Sequence, residues 1–338
     1  MKKIAVIFNG GTISMKLDPK LKAAVPSLTG EEIMSMVTGI ETHADVVSYY
    51  FSSVPSPHMT MEKIMELRNF TLDIVNDPEI YGIVITHGTD TLEETAYFVD
   101  LTIDTTKPIV FTGAMRSGSE LGYDGPSNLA QAIVTASSPR SVGRGVLVCM
   151  NGELNCASEV TKTNSMALNA FRTPNFGPLG IVDNNRVIYY REVNERQCHV
   201  IGKLEPRVSL IKTVAGMDSS FIRFSVDKGD KGIVIEALGR GNVPPQMVDG
   251  IRYAISMKVP VVIVSRCYEG RVYESYGYEG GGKHLRNMGV IFGDNLPGQK
   301  ARIKLMVALS IFTEIEQVRE WFERDLYPHD EDNGLLLS

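Results

Sequence analysis

Hydroxyl, carboxylate and amine side chains are concentrated in short segments that each follow a run of apolar, β-rich residues. Thr12 follows the first run, Thr89 and Asp90 follow the third, and Lys162 follows the fifth. A threonine hydroxyl becomes a nucleophile when a base takes its proton. A lysine in a partly desolvated cleft can have a pKa low enough to act as that base. These residue types indicate acyl transfer by a hydroxyl nucleophile, rather than phosphate or hydride chemistry, and Asp90 would suit a substrate ammonium group.

Two further segments offer groups that suit substrate binding. Ser56 lies between two prolines in residues 53–59, and prolines fix the backbone of an extended turn. Ala114 stands among small residues after the fourth apolar run, where a substrate can approach the main chain. Each feature also has an ordinary explanation, because Thr12 and Ser56 suit turns and Lys162 suits a solvated surface. The functional interpretation therefore depends on these loops meeting at one place.

The order of elements indicates how the loops would meet. The predicted strands of the first half are residues 4–8, 46–51, 83–86, 109–112 and 145–150. The predicted helices between them are residues 31–36, 61–75, 92–101 and 128–136. Thr29 and Glu32 form a capping-box pattern at the start of the first helix. Continuous apolar strands separated by helices predict a parallel sheet, and ligands bind outside the carboxyl ends of its strands.

The same alternation resumes later in the chain, after a looser, charged stretch at residues 186–206. Its later segments are residues 232–237, 247–257, 259–264 and 299–312. The predicted fold class is α/β, with a larger N-terminal domain whose mostly parallel sheet is flanked by helices, and a smaller C-terminal α/β domain. We expect the catalytic N-terminal domain at residues 1–190, a linker at 191–210 and the C-terminal domain at 211–338.

Composition excludes several other classes of protein. The 338 residues include 34 basic and 40 acidic side chains, a net charge of -6, without the basic cluster that nucleic acid would require. The four cysteines lack metal-ligand or disulfide-frame spacing and predict reduced thiols. The apolar stretches fall short of the ~20 residues that cross a bilayer. We therefore expect a cytoplasmic protein without a metal, nucleic-acid partner or membrane anchor.

Three segments, residues 9–13, residues 87–91 and the neighbourhood of Lys162, resemble the bacterial-type L-asparaginases. Residues 112–116 and 299–302 extend the resemblance over nearly the whole chain. The resemblance implies hydrolysis of L-asparagine to L-aspartate and ammonia, often with weaker action on glutamine. It implies no metal and no organic cofactor.

Matched position by position, the resemblance also implies roles for individual residues. Thr12 would be the nucleophile, and Thr89, Lys162 and Asp90 would form a relay. The implied substrate contacts are Ser56 for the α-carboxylate, Asp90 for the α-ammonium, the backbone near Ala114 for the side-chain amide, and Gly88. The main-chain N–H groups of Thr89 and of Gly11 or Thr12 would form an oxyanion hole.

The family assembles as a homotetramer built from two dimers, in which a neighbouring subunit completes each site. Asn242 fits that completing role, and Glu279 is a looser match for a partner acid in a glycine-rich segment that also suits a flexible loop. Some relatives carry a tyrosine in the loop after the nucleophile, whereas residues 13–30 here contain none. A tyrosine from elsewhere or a bound water would then assist Thr12.

Two other functions remain open on the same scaffold. One is the ammonia-releasing subunit of a tRNA-dependent amidotransferase, which would need a further module and a surface for tRNA. The other is a non-catalytic protein that binds amino acids, which would retain Asp90 and Ser56 while losing a hydroxyl or the lysine.

Overall fold

The computed structural model describes residues 1–193 and 196–324. The chain forms two compact units, the first spanning Met1–Val200 and the second beginning at Ile201. Each unit has a buried apolar core of its own.

The first unit is built around one large sheet. Its strands are β1 (Lys3–Phe8), β2 (Met15–Asp18), β3 (Ala23–Pro26), β4 (Asp45–Tyr50), β5 (Ile80–Thr86), β6 (Ile109–Thr112), β7 (Val146–Met150), β8 (Glu153–Cys156), β9 (Thr161–Lys162), β10 (Phe171–Arg172), β11 (Gly180–Asp183) and β12 (Arg186–Tyr189). Its helices are α1 (Gly30–Ser35), α2 (Met61–Val75), α3 (Leu92–Thr102) and α4 (Gly125–Ser137).

Eight of these strands form the sheet, in the order β12-β11-β8-β7-β6-β5-β1-β4. Strands β4, β1, β5, β6 and β7 run parallel, and β8, β11 and β12 add an antiparallel edge. The remaining four form a β2–β3 hairpin and a short β9–β10 pair. The predicted mostly parallel sheet is confirmed.

Buried side chains explain why these runs form the centre of the sheet. Val84 of β5, Val110 of β6 and Leu147 of β7 are fully buried and share a core with Leu129 and Ile133 of α4. Such continuous apolar strands gain the most from a sheet that helices cover, because both faces of the pleat are then removed from water.

The register of the parallel strands aligns their carboxyl ends. Phe8 at the end of β1 pairs with Tyr50 of β4 and with Thr86 of β5, and Thr86 pairs with Thr112 of β6. The segments that follow these four strands therefore leave the sheet along one edge, as expected for a site of this class.

The predicted strands and helices of the first half agree with the structure to within a few residues. The capping box is also confirmed, since Thr29 Oγ1 accepts from the Glu32 N–H and the Glu32 carboxylate accepts from the Thr29 N–H. Hydrogen bonding to the charged carboxylate lowers the pKa of Glu32, so it remains ionised at neutral pH.

One segment differs from the prediction. Residues 186–206 were expected to be irregular, yet Arg186–Tyr189 forms β12 in a tight hairpin with β11. Asn184 and Asn185 at the turn have φ of 46 and 57, the left-handed conformation that tight hairpin turns require. The Asn-Asn pair therefore indicates the hairpin turn between β11 and β12, which the pattern of apolar residues does not.

The predicted linker at 191–210 includes residues of both compact units, which divide between Val200 and Ile201. The His199 N–H donates to the Leu101 carbonyl in the first unit, whereas Val208 begins the first strand of the second unit. Residues 194–195 and 325–338 lie outside the described residues. The domain bounds at 190, 210 and 338 stay a prediction.

The second unit is a smaller α/β structure. Its strands are β13 (Val208–Lys212), β14 (Gly232–Ala237), β15 (Val261–Ser265) and β16 (Ile291–Phe292), which form a parallel sheet in that order. Its helices are α5 (Ser220–Asp227), α6 (Pro245–Ser256), α7 (Gly282–Asn287), α8 (Gly298–Ile311) and α9 (Ile315–Glu323). The predicted C-terminal α/β fold is confirmed. Within the described parts of both units, we find no helix with the length and apolar character of a membrane span.

We expect Arg196→Ala to destabilise the first unit by about 2 kcal/mol, because it leaves a buried carboxylate with fewer partners. Arg196 donates to Asp100 Oδ1 at 2.8 Å and to the carbonyls of Asp100 and Ile103. The matched control is Arg207→Ala, which removes a pair with Glu205 two residues away in the second unit. Urea unfolding of both variants is the measurement, and equal stabilities would contradict this role of Arg196.

Candidate active site

The segment between β5 and α3 carries two of the predicted site residues and is fixed to the turn after β4. The Asp90 N–H donates to Ser56 Oγ at 3.2 Å, and Thr91 Oγ1 donates to the Ser56 carbonyl at 3.0 Å. Thr91 occupies the N-cap position of α3 without a side-chain capping bond. Its hydroxyl therefore joins two loops instead of capping the helix.

Glycines bring the loops after β1, β4 and β5 into direct contact. Gly11 has φ +88, and a Cβ at this residue would lie 2.4 Å from Gly88 Cα. A Cβ on Gly88 would lie 2.7 Å from Ser56 Oγ. Real Cβ atoms do not approach other heavy atoms so closely, so only glycine fits at both positions. Thr12 follows Gly11 directly and is thereby held beside the loop of Thr89.

A third glycine adds the loop after β6 to this group. A Cβ on Gly113 would lie 2.5 Å from the His87 carbonyl oxygen and 3.5 Å from Thr89 Cγ2. Ala114, the next residue, is fully buried. The four loops that the sequence singled out after parallel strands therefore meet at one edge of the sheet.

Lys162 reaches this edge from the short β9–β10 pair. Its Nζ lies 2.9 Å from Thr89 Oγ1 and 2.6 Å from Asp90 Oδ1. The lysine side chain is 15% exposed and that of Asp90 is 61% exposed, so the pair lies at the mouth of the site. A hydroxyl, an amine and a carboxylate are thus in hydrogen-bond contact, which is the arrangement that a proton relay requires.

Glu93 holds the strand of Lys162, a role that reasoning from the sequence missed. Its Oε1 lies 3.1 Å from both Thr161 Oγ1 and the Lys162 main-chain nitrogen, and the residue is buried. Glu93 lies in the first turn of α3, where an acidic residue is also favoured by the positive end of the helix dipole. A carboxylate among the buried positions of a helix is the signal that would have identified it.

Thr12 lies in a single 3-10 turn, Thr12–Ser14, and is half-buried. The N–H and the hydroxyl of Ser14 both donate to the Gly11 carbonyl at 2.9 Å. The Gly11 N–H donates to the Val54 carbonyl at 3.2 Å in the turn after β4. This turn is therefore held closed on itself and against the neighbouring loop.

His87 is a buried, neutral histidine beneath the site. Its Nδ1 lies 2.8 Å from the Gly88 carbonyl oxygen, and because a carbonyl only accepts, Nδ1 carries the hydrogen. Burial lowers the pKa of His87 to about 4. In a trans peptide the C=O and N–H point to opposite sides, so fixing the Gly88 carbonyl also fixes the direction of the Thr89 N–H.

Asn242 and Glu279 belong to the second unit. Asn242 Oδ1 accepts from the Gly282 N–H at 3.2 Å, and Asn242 forms an isolated bridge with Leu238. Glu279 is exposed. Their predicted part in the substrate site stays a prediction.

The described cysteine and acidic residues give no indication of a metal centre. Cys149, Cys156, Cys198 and Cys267 are free thiols. Within residues 1–193 and 196–324, no three His, Cys, Asp or Glu side chains stand close enough to hold a metal ion. The groups that meet at the sheet edge are hydroxyls, a carboxylate, an amine and main-chain N–H donors, a set typical of hydrolases with a hydroxyl nucleophile.

Comparison with known families agrees with this class. Residues 3–195 match the family profile "Asparaginase, N-terminal", and residues 207–322 match "Glutaminase/Asparaginase C-terminal domain". The chain belongs to the asparaginase family.

Individual relatives cover nearly the whole chain. An L-asparaginase of Bacillus licheniformis is 37% identical over 313 residues, which are 93% of this chain and 97% of that protein. A subunit of the glutamyl-tRNA(Gln) amidotransferase of Methanobrevibacter smithii is 30% identical over 96% of this chain and 76% of its own length. The crystal structure of a probable cytoplasmic L-asparaginase from Campylobacter jejuni superposes with a TM-score of 0.85 at 29% identity, covering 95% of this chain and 99% of that one.

The buried histidine predicts a specific pH dependence of stability. The unfolded chain, with a His87 pKa near 6.5, binds a proton that the folded protein excludes until about pH 4. Protonation of His87 in the unfolded chain therefore leaves the free energy of unfolding unchanged above pH 6.5. As the pH falls from 6.5 towards 4, it lowers the free energy of unfolding by about 3 kcal/mol in all.

His87→Asn keeps an amide donor for the Gly88 carbonyl but does not titrate, so we expect its free energy of unfolding to lack this acid-side loss. Urea unfolding between pH 4 and 7 measures the difference from wild type. His58→Asn, at an exposed position of the 3-10 turn Ser56–His58, is the control for the same substitution outside the core. Identical profiles for His87→Asn and wild type would refute the neutral buried state.

Proposed function

We propose that this protein hydrolyses L-asparagine to L-aspartate and ammonia, with Thr12 as the nucleophile and with weaker action on L-glutamine. The observation that carries the proposal is the contact of Lys162 Nζ with both Thr89 Oγ1 and Asp90 Oδ1 beside the Thr12 turn. The relative from Bacillus licheniformis, which is named an L-asparaginase, supports the choice of substrate.

The charges of the site suit the two ends of an amino acid. The Asp90 side chain is largely exposed, although one of its oxygens contacts Lys162, and its carboxylate would take the α-ammonium group. Ser56 Oγ accepts from the Asp90 N–H, which leaves its own hydrogen to donate to the α-carboxylate. Gly88 lies against Ser56 on this side, and the main chain near Ala114 would face the side-chain amide.

In the first half of the proposed reaction, Thr12 Oγ1 attacks the amide carbon. The Thr89 N–H would donate to the developing oxyanion, and the second donor would be the Thr12 N–H, because the Gly11 N–H already donates to Val54. Such donors typically contribute ~3–4 kcal/mol each to the transition state. The C–N bond breaks, the leaving nitrogen takes the proton lost by Thr12, and ammonia departs.

In the second half, water attacks the ester formed on Thr12. Its proton passes to the relay of Thr89, Lys162 and Asp90, which is ordered by the two contacts of Lys162 Nζ. The ester C–O bond breaks, Thr12 recovers its hydroxyl hydrogen, and L-aspartate is released. No metal or organic cofactor takes part in this proposal.

We also propose a cytoplasmic homotetramer, assembled as a dimer of dimers. The likeness to a structure described as a probable cytoplasmic L-asparaginase supports the location. In this assembly Asn242 and Glu279 of a neighbouring subunit would complete each site.

The alternative within the family is an ammonia-releasing amidotransferase subunit, since one relative, which this chain covers over 76% of its length, is named as an amidotransferase subunit. An ammonia assay over L-asparagine, D-asparagine and L-glutamine separates the two functions. Faster turnover of L-asparagine supports the proposed one, and turnover of L-glutamine alone would favour the alternative.

We expect Thr12→Ala to abolish ammonia release, by at least about a thousandfold, because the variant has no nucleophilic oxygen. Its fold and its binding of L-aspartate should be retained, since Thr12 is only half-buried. Thr12→Ser keeps a hydroxyl and is the matched control, expected to keep measurable turnover. Full activity of Thr12→Ala would refute the nucleophile, and a wild type that binds aspartate without hydrolysing asparagine would identify a non-catalytic binding protein.

A mixing experiment tests whether Asn242 acts across a subunit interface. Asn242→Ala and Thr12→Ala homo-oligomers should each be nearly inactive. After dissociation and reassembly of an equal mixture, hybrid dimers contain one intact site, so activity should recover to about a quarter of the wild-type value. If the mixture stays as inactive as its components, Asn242 does not complete the site of a neighbouring subunit.

A further inference from the structure

Tyr123 contacts the turn that carries Thr12, although 110 residues separate Tyr123 from Ile13 in the sequence. The tyrosine lies in the connection between β6 and α4, and its hydroxyl donates to the main-chain carbonyl of Ile13. Ile13 is the residue after Thr12 and the middle residue of the 3-10 turn.

The contact restrains the middle of the turn. Gly11 fixes the beginning of the turn against Gly88, and Ser14 closes the turn on the Gly11 carbonyl. The Ile13 carbonyl is fixed separately by the Tyr123 hydroxyl. With its beginning and its middle fixed, the turn is restrained from rotating about Gly11, and the direction of the Thr12 side chain is defined.

The β6–α4 connection also holds the hairpin that follows the turn. The Gly118 N–H donates to the Met15 carbonyl at 2.8 Å, and Ser119 Oγ accepts from the Leu17 N–H at 3.0 Å. One connection therefore contacts the Thr12 turn and β2 at three residues, Ile13, Met15 and Leu17.

Tyr123 is itself held firmly. Its ring packs over Gly125, where a Cβ would lie 2.5 Å from the ring atoms. The carboxylate of Asp124 accepts from the N–H groups of Met115 and Arg116 at 3.0 and 2.9 Å and from Asn128 Nδ2 at 3.0 Å. Burial, together with the charge of Asp124, raises the pKa of the Tyr123 hydroxyl, so it remains a hydrogen-bond donor at neutral pH.

We propose that Tyr123 is a positioning residue for Thr12: its hydroxyl holds the Ile13 carbonyl and thereby aims the nucleophile at the substrate amide. This inference rests on the proposed function, because it concerns the same reaction. Tyr123 acts through the turn and exchanges no proton with the substrate. Its removal should affect the attack by Thr12 more than the binding of substrate, since misplacing a reacting group costs rate.

The test is Tyr123→Phe, which removes the hydroxyl and keeps the ring over Gly125. We expect kcat for L-asparagine to fall at least about tenfold, with KM and the Kd for L-aspartate within about threefold of wild type. The pH limits of kcat should not move, because the hydroxyl does not titrate in the reaction. Tyr189→Phe is the matched control, because the Tyr189 hydroxyl also makes a hydrogen bond, at 2.8 Å, with Ser141 Oγ. Tyr189 lies on β12, the edge strand at the other end of the sheet from β4.

A second readout does not depend on activity. Amide hydrogen exchange at Ser14, whose N–H closes the turn, should become faster in Tyr123→Phe and stay unchanged in Tyr189→Phe. Gly125→Ala, whose new methyl group would displace the Tyr123 ring, should show the same loss of kcat and faster exchange if Tyr123→Phe is too unstable to measure.

The outcomes separate this inference from the proposed function. If wild type hydrolyses asparagine and Tyr123→Phe matches Tyr189→Phe in kcat and in exchange, the positioning role is wrong. A shift in the pH limits would also overturn it, because Tyr123 would then act as an acid or base. If wild type lacks asparaginase activity, the proposed function fails, whereas the exchange at Ser14 still decides whether Tyr123 orders the turn.

Discussion

The contact between Gly11 and Gly88 is the constraint on which the candidate site depends. A Cβ on Gly11 would lie 2.4 Å from Gly88 Cα, so any side chain there would push the two loops apart. Gly11 also adopts φ +88, which L-residues with side chains rarely occupy. Ordering these glycines costs conformational entropy on folding. Because they have no side chain, the main chains of the Thr12 and Thr89 loops can touch.

Beyond this contact, two residues of the candidate site are held in place by neighbours from other parts of the chain. Glu93 in α3 holds the main chain of Lys162, and Ser56 after β4 holds the loop of Asp90. The parallel register supplies the common edge, because β1, β4, β5 and β6 end in alignment. A site built in this way needs a rigid sheet beneath it, because a small shift of one loop displaces the loops in contact with it.

The parallel strands and the helices of the first half, with the loops that follow those strands, were predictable from the sequence, whereas the β2–β3 hairpin was not predicted. Buried parallel strands appear as continuous apolar runs, and the reactive residues stand immediately after them. The β9–β10 pair was not predictable, because two-residue strands carry no periodic pattern. From the residues alone, Lys162 was only a candidate base after an apolar run. Its grouping with Thr89 and Asp90 followed from the family resemblance. The roles of Glu93 and Tyr123 depend on contacts with residues 69 and 110 positions away in the sequence, which local patterns do not encode.

The most direct measurement is a crystal structure of the Thr12→Ala variant soaked with L-aspartate, the proposed product. One aspartate should bind at the edge of the first sheet, with its ammonium group on Asp90 and its α-carboxylate on Ser56. The side-chain carboxylate should then lie between residue 12 and the Thr89 N–H. Aspartate bound elsewhere, or bound with its side chain directed away from residue 12, would contradict the assignment of this sheet edge as the substrate site and of Thr12 as the nucleophile.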